Sequence, residues 1–113
     1  MKVSVVLCTY SQTRYNDTLG ALKSLNSQTY KNIEIVLVID RNIEIYNKFQ
    51  VEGELHKFSN LKIGLSQLPG LSNARNKGVE LSTGDVVAFI DDDAIADRDW
   101  IAHLVENYSG SDV

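Results

Sequence analysis

The sequence has 113 residues, of which 43% are hydrophobic and 23% are charged, and its net charge is −4. This length and composition predict one globular domain with a single core and exclude a disordered segment. The acidic balance makes DNA and RNA poor candidate partners, because nucleic-acid binding needs basic patches, so we expect no nucleic-acid partner.

Apolar runs and helical spacing alternate from the start of the chain. The first run, over residues 3–7, predicts a strand, and an i, i+3, i+4, i+7 stripe over 18–25 predicts the helix that follows it. A second strand is predicted over 33–39. Further apolar positions between 43 and 58 then predict one or two short helices.

A weaker apolar run over 61–65 predicts a third strand, and a narrow stripe over 74–81 predicts the helix after it. Ser72 is expected to be the N-cap of this helix, because a serine side chain accepts a hydrogen bond from a free backbone N–H group. Residues 83–85 contain a glycine and are expected to close the helix through a glycine cap.

The fourth strand is predicted over 86–90, followed by a last helix over 101–108 with Asp97 or Asp99 near its start. Like the first two runs, 86–90 is nearly continuous and rich in β-branched residues, as expected for a strand covered on both faces. Residues 107–113 have the composition of a lead into a further strand.

The alternating order of strands and helices predicts an α/β fold in three layers. Its sheet should be mostly parallel, with helices on both faces, and residues 1–113 should form one domain. In open sheets of this kind ligands bind at the carboxyl ends of the strands. The loops expected at that edge are polar, so we expect a binding site there.

Three consecutive aspartates, Asp91, Asp92 and Asp93, follow the fourth predicted strand. Carboxylates a few Å apart repel one another by several kcal/mol where the dielectric is low, unless a cation lies between them. Alternate side chains of an extended segment point the same way, so Asp91 and Asp93 are expected to face one ligand while Asp92 points elsewhere. Their hard oxygen atoms suit Mg²⁺ or Mn²⁺. The alternative is a solvated turn that binds nothing.

A second candidate for ligand binding is Arg75, which we expect in the first turn of the third helix. Free N–H groups and the helix dipole favour anions at such a position, so Arg75 is placed to reach a pyrophosphate. The alternative is that Arg75 only balances nearby acids on an exposed helix face.

Several segments, in this order and at this spacing, make the chain resemble the glycosyltransferase family 2, whose fold is the GT-A (Rossmann-like) fold. The matching segments are 5–10, 22–30, 35–40, 70–78 and 83–93. The resemblance covers essentially the whole chain. The chain would correspond to about the first half of the family's catalytic domain, the donor-binding half, so we expect a domain truncated at its carboxyl end.

The resemblance implies a nucleotide-binding set and a metal-binding pair. Thr9 and Tyr10 would line the pocket for base and ribose, Asp40 would bond to the base, Arg75 would lie near the diphosphate and Asp92 would contact the ribose. The DxD pair, Asp91 and Asp93, would hold a divalent metal, Mg²⁺ or Mn²⁺. Cys8, Ser11 and the pair Arg41–Asn42 depart from the family's usual residues, which leaves the base preference open, with UDP as the first choice.

The implied reaction transfers a sugar from a nucleoside-diphosphate sugar to an acceptor hydroxyl, with metal assistance and inversion. The acceptor would be a saccharide, a lipid-linked molecule or a protein. The catalytic base would lie beyond Val113, so this chain alone is expected to be inactive and to associate with itself through the face that the absent half would cover.

Two alternatives to an enzyme domain remain at this point. The first is a nucleotide- and metal-binding module without catalysis. The second is a phosphate-transfer receiver, which usually needs an aspartate pair after its first strand, where this chain has Cys8, Thr9 and Tyr10.

The lone cysteine, Cys8, excludes an intrachain disulfide and fits a reducing compartment. No apolar run approaches the ~20 residues of a membrane span. The run over 3–7 is also too short for a signal peptide. We therefore expect a cytoplasmic location, at the inner face of the membrane if the full-length protein is membrane-associated.

Overall fold

The computed structural model describes residues 1–109 and contains the predicted alternation of strands and helices. The strands are β1 (Val3–Thr9), β2 (Ile33–Asp40), β3 (Leu61–Ser66) and β4 (Val86–Asp91), and the helices are α1 (Tyr15–Asn26), α2 (Ile43–Gln50), α3 (Leu71–Leu81) and α4 (Trp100–Ser109). Short 3₁₀ turns over Gln12–Arg14 and Gly53–Lys57 precede α1 and follow α2. Each strand begins where its apolar run begins in the sequence, so the predicted strands are confirmed.

All four strands are parallel, and their order across the sheet is β3-β2-β1-β4. Val3 pairs with Ile33 on one side and with Val86 on the other, so the ends of the three strands are level. Because every strand runs the same way, all four carboxyl ends lie at one edge of the sheet. The predicted α/β fold with a parallel sheet is therefore confirmed.

Helices cover both faces of this sheet. The larger core cluster packs α1, α2 and α4 against the face that carries Val5 and Leu7. The smaller cluster packs Ala74 of α3 against Val6 and Val36 on the other face. Side chains of adjacent strand residues point to opposite faces, which explains why Val5 and Val6 belong to different clusters.

The prediction that 86–90 is covered on both faces was wrong. β4 is an edge strand, none of its residues is fully buried, and the side chain of Phe89 is 42% exposed. The strands in the middle of the sheet, β1 and β2, have the almost complete burial expected of such apolar runs. Local composition could not distinguish a central strand from an edge strand, because it does not specify the order of the strands in the sheet.

Two predicted helix ends also differ from the structure. The N-cap of α3 is Gly70, with φ at 101°, rather than Ser72, which lies inside the helix. α3 ends at Leu81 and its C-cap, Ser82, has extended backbone, so residues 83–85 do not form a glycine cap. Gly84 is needed instead for a close approach to β1, because a Cβ atom there would lie 2.6 Å from Ser4 Oγ and 2.7 Å from Ser4 N.

At the opposite edge of the sheet from the strand carboxyl ends, the buried side chain of Glu34 joins several segments. It accepts hydrogen bonds from Ser4 Oγ at 2.6 Å and Thr83 N at 2.6 Å, and it pairs with Lys62 Nζ at 2.8 Å. Burial by itself raises the pKa of Glu34, but the hydrogen bonds from Lys62, Ser4 and Thr83 outweigh burial and lower it to about 2. This network fixes the amino ends of three strands and the turn before the fourth.

The last helix begins close to Asp97 and Asp99, as predicted, with Trp100 N donating to the carbonyl oxygen of Asp97. Residues 107–109 are its final turn and are not a lead into a strand, and the rest of that predicted lead lies outside the described residues. Within residues 1–109, no helix is both long enough and apolar enough to cross a membrane.

Candidate functional site

A cavity of about 550 Å³ opens at the carboxyl edge of the sheet. It lies between the loops that follow β1 and β2, the first turns of α3 and the end of β4. All the residues predicted for the site line it, namely Thr9, Tyr10, Asp40, Arg75, Asp91, Asp92 and Asp93. The parallel sheet explains this gathering, because Thr9, Asp40 and Asp91 each end a strand.

The three aspartates form what we call the acid turn, residues 91–93, at the end of β4. The side chains of Asp91 and Asp93 are exposed, whereas Asp92 is only 7% exposed. The expected exposure, with Asp91 and Asp93 outward, agrees with the structure, but the expected extended geometry was wrong. Asp92 and Asp93 lie in a turn after β4, and both contact Arg14 Nη1. Two carboxylates are therefore exposed at the cavity, while the third belongs to its wall.

Both carboxylate oxygens of Asp92 already have partners in the protein. Thr9 Oγ1 donates to Asp92 Oδ2 at 2.9 Å, and Arg14 Nη1 donates to Asp92 Oδ1 at 2.9 Å. These bonds compensate for the burial of a charged group, which would otherwise be costly. The role of Asp92 as a ribose contact remains a prediction.

Arg14, for which no role was predicted, lies against the acid turn and pairs with two of its carboxylates. Its Nη1 atom lies 2.9 Å from Asp92 and 3.2 Å from Asp93. The hydrogen bond to Asp92 and the charges of both carboxylates raise the pKa of Arg14. The cation that the aspartate cluster requires is thus partly supplied by the chain itself. Only the pairing of β1 with β4 brings the two loops together, so sequence spacing gave little signal for this contact.

The other end of the cavity is formed by the loops after β1 and β2. Tyr10 is 62% exposed there, and Asn42 Nδ2 donates to its carbonyl oxygen at 3.4 Å. Arg41 has a φ of 55°, in the left-handed region that non-glycine residues seldom adopt. Its Nε atom donates to Asp40 Oδ1 at 3.2 Å, and its side chain lines the cavity. Arg41 and Asp40 therefore both line the pocket that is predicted to bind the nucleobase.

The prediction that Arg75 lies in the first turn of its helix was wrong, because α3 already begins at Leu71. Its guanidinium carbon lies 5.5 Å from the ring centroid of Phe89 on β4, within the range of a cation–π contact. Arg75 is therefore not next to the free N–H groups at the start of the helix, which favour anions. Arg75 still lines the cavity and carries a positive charge into it.

Cys8 lines the same cavity and is half-buried. Burial, the largest influence, raises the pKa of its thiol to about 11. The group is therefore an uncharged thiol at neutral pH, which agrees with a filler at the strand end and not with a nucleophile.

The donor atoms of the acid turn suit Mg²⁺ or Mn²⁺. Asp91 and Asp93 offer exposed carboxylate oxygens, which are hard ligands. Across the described part of the chain, no group of three or more His, Cys, Asp or Glu side chains is arranged to hold a metal ion. A metal here would need its other ligands from phosphates and water, which is the usual arrangement for Mg²⁺ at nucleotide sites.

Comparison with known proteins gives a consistent result. Residues 4–112 match the model of the family described as glycosyl transferase family 2. The chain is 43% identical over 112 residues to the glucosyl-dolichyl phosphate glucuronosyltransferase of Haloferax volcanii, covering 98% of this chain and 35% of that protein. It is 35% identical to the amylovoran biosynthesis glycosyltransferase AmsB of Erwinia amylovora, covering 86% of this chain and 31% of that protein.

Solved structures show the same fold. TarS from S. aureus superposes with a TM-score of 0.79 at 24% identity, covering 96% of this chain and 32% of that one. The mannosyltransferase PcManGT from Pyrobaculum calidifontis, in complex with GDP-Man and Mn²⁺, superposes with a TM-score of 0.75 at 23% identity, covering 93% and 31%. The chain spans about a third of the length of the curated relatives it matches.

Proposed function

Because the chain belongs to glycosyl transferase family 2, we propose that it forms the donor-binding half of a longer glycosyltransferase domain. That domain transfers a sugar from a nucleoside-diphosphate sugar to an acceptor hydroxyl. The observation that carries the proposal is the gathering of all predicted donor-site residues in one cavity at the carboxyl edge of the sheet. Ligands of open parallel sheets bind at this edge.

The donor lies across the cavity, with its base at the β1–β2 end and its diphosphate towards the acid turn. Thr9, Tyr10 and Asp40 bind the base and ribose, and Asp92 adds a ribose contact. Arg75 neutralises part of the diphosphate charge, since it is the cation on α3 that lines this cavity. Its contact with Phe89 supports this role, because it holds the guanidinium over the cavity wall at β4.

Asp91 and Asp93 hold the divalent metal, Mg²⁺ or Mn²⁺, as the DxD motif. Their exposed carboxylates and the lack of a full protein cage over residues 1–109 support binding through shared phosphate ligands. A bound divalent cation acts as a Lewis acid and stabilises the negative charge that develops on the leaving diphosphate.

In the transfer itself, the acceptor oxygen forms a bond to the anomeric carbon as the bond from that carbon to the diphosphate oxygen breaks. The electron pair leaves with the diphosphate, and a base takes the proton of the acceptor hydroxyl. The displacement inverts the anomeric centre. Residues of this chain bind and orient the donor, and the base and most of the acceptor site belong to the part of the domain after Val113.

Of the possible acceptors, a saccharide, a lipid-linked molecule or a protein, we favour the lipid-linked kind. The name of the Haloferax volcanii relative, a glucosyl-dolichyl phosphate glucuronosyltransferase, supports this choice. Such an acceptor also fits a cytoplasmic domain that works at the inner face of a membrane.

By itself the chain binds donor and metal without turnover, as a nucleotide-binding module. The absence of turnover is supported by the length of the curated relatives, because about two thirds of each relative has no counterpart in this chain.

Calorimetric titration of UDP, GDP, dTDP and CDP, each with and without Mn²⁺, tests the proposal. We expect one base to bind best, with UDP as the first choice, and Asp40→Ala to flatten the preference among bases. Asp17→Ala, which removes an exposed acid from α1, is the matched control and should leave the preference unchanged. If no nucleoside diphosphate binds at millimolar concentration with metal present, the donor-site proposal is wrong.

A further inference from the structure

We propose that Arg14 is a built-in counter-ion of the acid turn, which a divalent cation displaces from Asp93. Arg14 thereby lowers the affinity of the free protein for metal. This role rests on the proposed function, since it assumes that Asp91 and Asp93 hold the metal.

The two contacts of Arg14 differ in strength and surroundings. The side chain of Asp92 is 10% exposed, and its distance to Arg14 Nη1 is 2.9 Å. The side chain of Asp93 is 53% exposed, and its distance to the same nitrogen is 3.2 Å. Ion pairs in water are weak, whereas buried charge-assisted hydrogen bonds are strong. The contact with Asp92 is therefore the anchor, and the contact with Asp93 is the one that exchanges.

A cation held between Asp91 and Asp93 competes directly with Arg14. Asp93 Oδ2 forms an ion pair with Arg14 Nη1 at 3.2 Å, so a metal at that oxygen must replace this ion pair. The positive charge of the guanidinium also repels the incoming ion over a distance of a few Å. The same nitrogen, Arg14 Nη1, makes both contacts. Since Asp92 stays buried against Thr9, Nη1 keeps its bond to Asp92, and the exposed side chain of Asp93 turns away from it when the exchange occurs.

A purely structural role for Arg14 predicts the opposite effect. If Arg14 served only to hold the acid turn in shape, its removal would disorder Asp91 and Asp93 and weaken metal binding. The sign of the change in metal affinity therefore separates a competitor from a scaffold.

The test is titration of Mn²⁺ into the nucleotide-free protein, followed by calorimetry or by the EPR signal of free Mn²⁺. We expect Arg14→Gln to bind Mn²⁺ more tightly by roughly three- to tenfold. Arg14→Lys, which keeps the charge, should stay within about twofold of the unaltered protein. The matched control is Arg41→Gln, because Arg41 lines the same cavity but pairs with Asp40, and it should change the affinity less than Arg14→Gln does. Equal or weaker Mn²⁺ binding by Arg14→Gln overturns the proposal.

A second measurement needs no variant and so does not depend on the folding of one. In the unaltered protein, the Nε–Hε resonance of Arg14 should shift on titration with Mg²⁺, with the same Kd that calorimetry reports. The Arg41 resonance serves as the internal reference and should stay in place. A stationary Arg14 resonance at saturating Mg²⁺ contradicts displacement.

Failure of this role and failure of the proposed function are distinguishable. If nucleoside diphosphates bind but Mg²⁺ and Mn²⁺ do not, the counter-ion role is wrong and the donor site stands. If neither class of ligand binds, both proposals are wrong.

Discussion

Thr9 donates its hydroxyl hydrogen to Asp92 Oδ2 over 2.9 Å, which ties the carboxyl end of β1 to the turn after β4. Both residues are buried. In residues 1–109, no buried side-chain nitrogen or oxygen lacks a hydrogen-bond partner. The bond is therefore one of the contacts that satisfy these side chains, and its loss leaves the buried charge of Asp92 less well compensated.

Thr9→Val should consequently destabilise the fold. The variant keeps the shape of the side chain but removes the donor to a buried carboxylate, at a cost of about 1–3 kcal/mol. Urea denaturation at pH 7 measures the change in the free energy of unfolding. Thr9→Ser retains the hydroxyl and is the control, so equal losses in the two variants would show that the bond is not the cause.

Metal should stabilise the protein, and more strongly with a nucleoside diphosphate present. At a free concentration 100 times its Kd, a ligand that binds only the folded state adds about 2.7 kcal/mol. Thermal unfolding with Mn²⁺ or Mg²⁺ measures this effect, and Asp93→Ala should abolish it. A metal response that survives in Asp93→Ala would contradict the assignment of the metal-binding pair.

The stability of the fold should fall in acid because of Glu34. The pKa of this carboxyl is about 2 in the folded protein against an ordinary value of 4.5. A lowered folded pKa means that the stabilisation is fully present above pH ~4.5 and is lost as the pH falls towards 2. The contribution is on the order of 3 kcal/mol, since Glu34 is 3% exposed. Unfolding free energies of Glu34→Gln should depend less on pH in this window, whereas exposed Glu80→Gln should follow the unaltered protein.

Gly84→Ala should destabilise the fold, because the added Cβ would lie 2.6 Å from Ser4 Oγ and 2.9 Å from the carbonyl oxygen of Lys2. Overpacking of this kind costs about 1–3 kcal/mol. Gly53→Ala is the matched control, since a Cβ there meets nothing within 4 Å. Chemical denaturation compares the two, and a Gly84→Ala variant as stable as Gly53→Ala would show that the turn relaxes freely.

Self-association should occur at high protein concentration through the exposed side of β4 and α4. An apolar cavity of about 300 Å³ lies there, lined by residues such as Val86, Phe89, Trp100 and Leu104. Exposed strand edges and apolar patches promote association. Leu104→Lys should reduce the mass measured by light scattering, while Val79→Lys on α3 should not. A monodisperse monomer over a wide concentration range would contradict this prediction.

The strands were predictable from the sequence because they follow local rules. A β-branched apolar run fits the pleated surface of a sheet wherever the strand order places it. The closeness of Thr9, Asp40 and Asp91 was also predictable, because each of them ends a strand of a parallel sheet. Parallel strands bring their carboxyl ends to one edge.

Features that depend on which elements are neighbours could not be predicted. Arg14 meets Asp93 only because β1 lies beside β4, and the exposure of Phe89 follows from the place of β4 at the edge. The predicted glycine cap at residues 83–85 was wrong because the closeness of Gly84 to Ser4 is a tertiary contact that local sequence does not contain. The prediction of Arg75 in the first turn of α3 was wrong because the N-cap is Gly70, two residues before the predicted N-cap, Ser72.

The Glu34 network has a consequence for how sequences of this fold can diverge. Its partners come from three other segments. Loss of the carboxylate therefore removes at once the acceptor of Ser4 Oγ and of the Thr83 amide and the ion-pair partner of Lys62. A single replacement at any of these side chains is therefore costly, whereas a joint replacement is not. Relatives that lack the acid at this position should also lack the lysine, and the two positions should co-vary in an alignment while the donor-site residues vary independently of them.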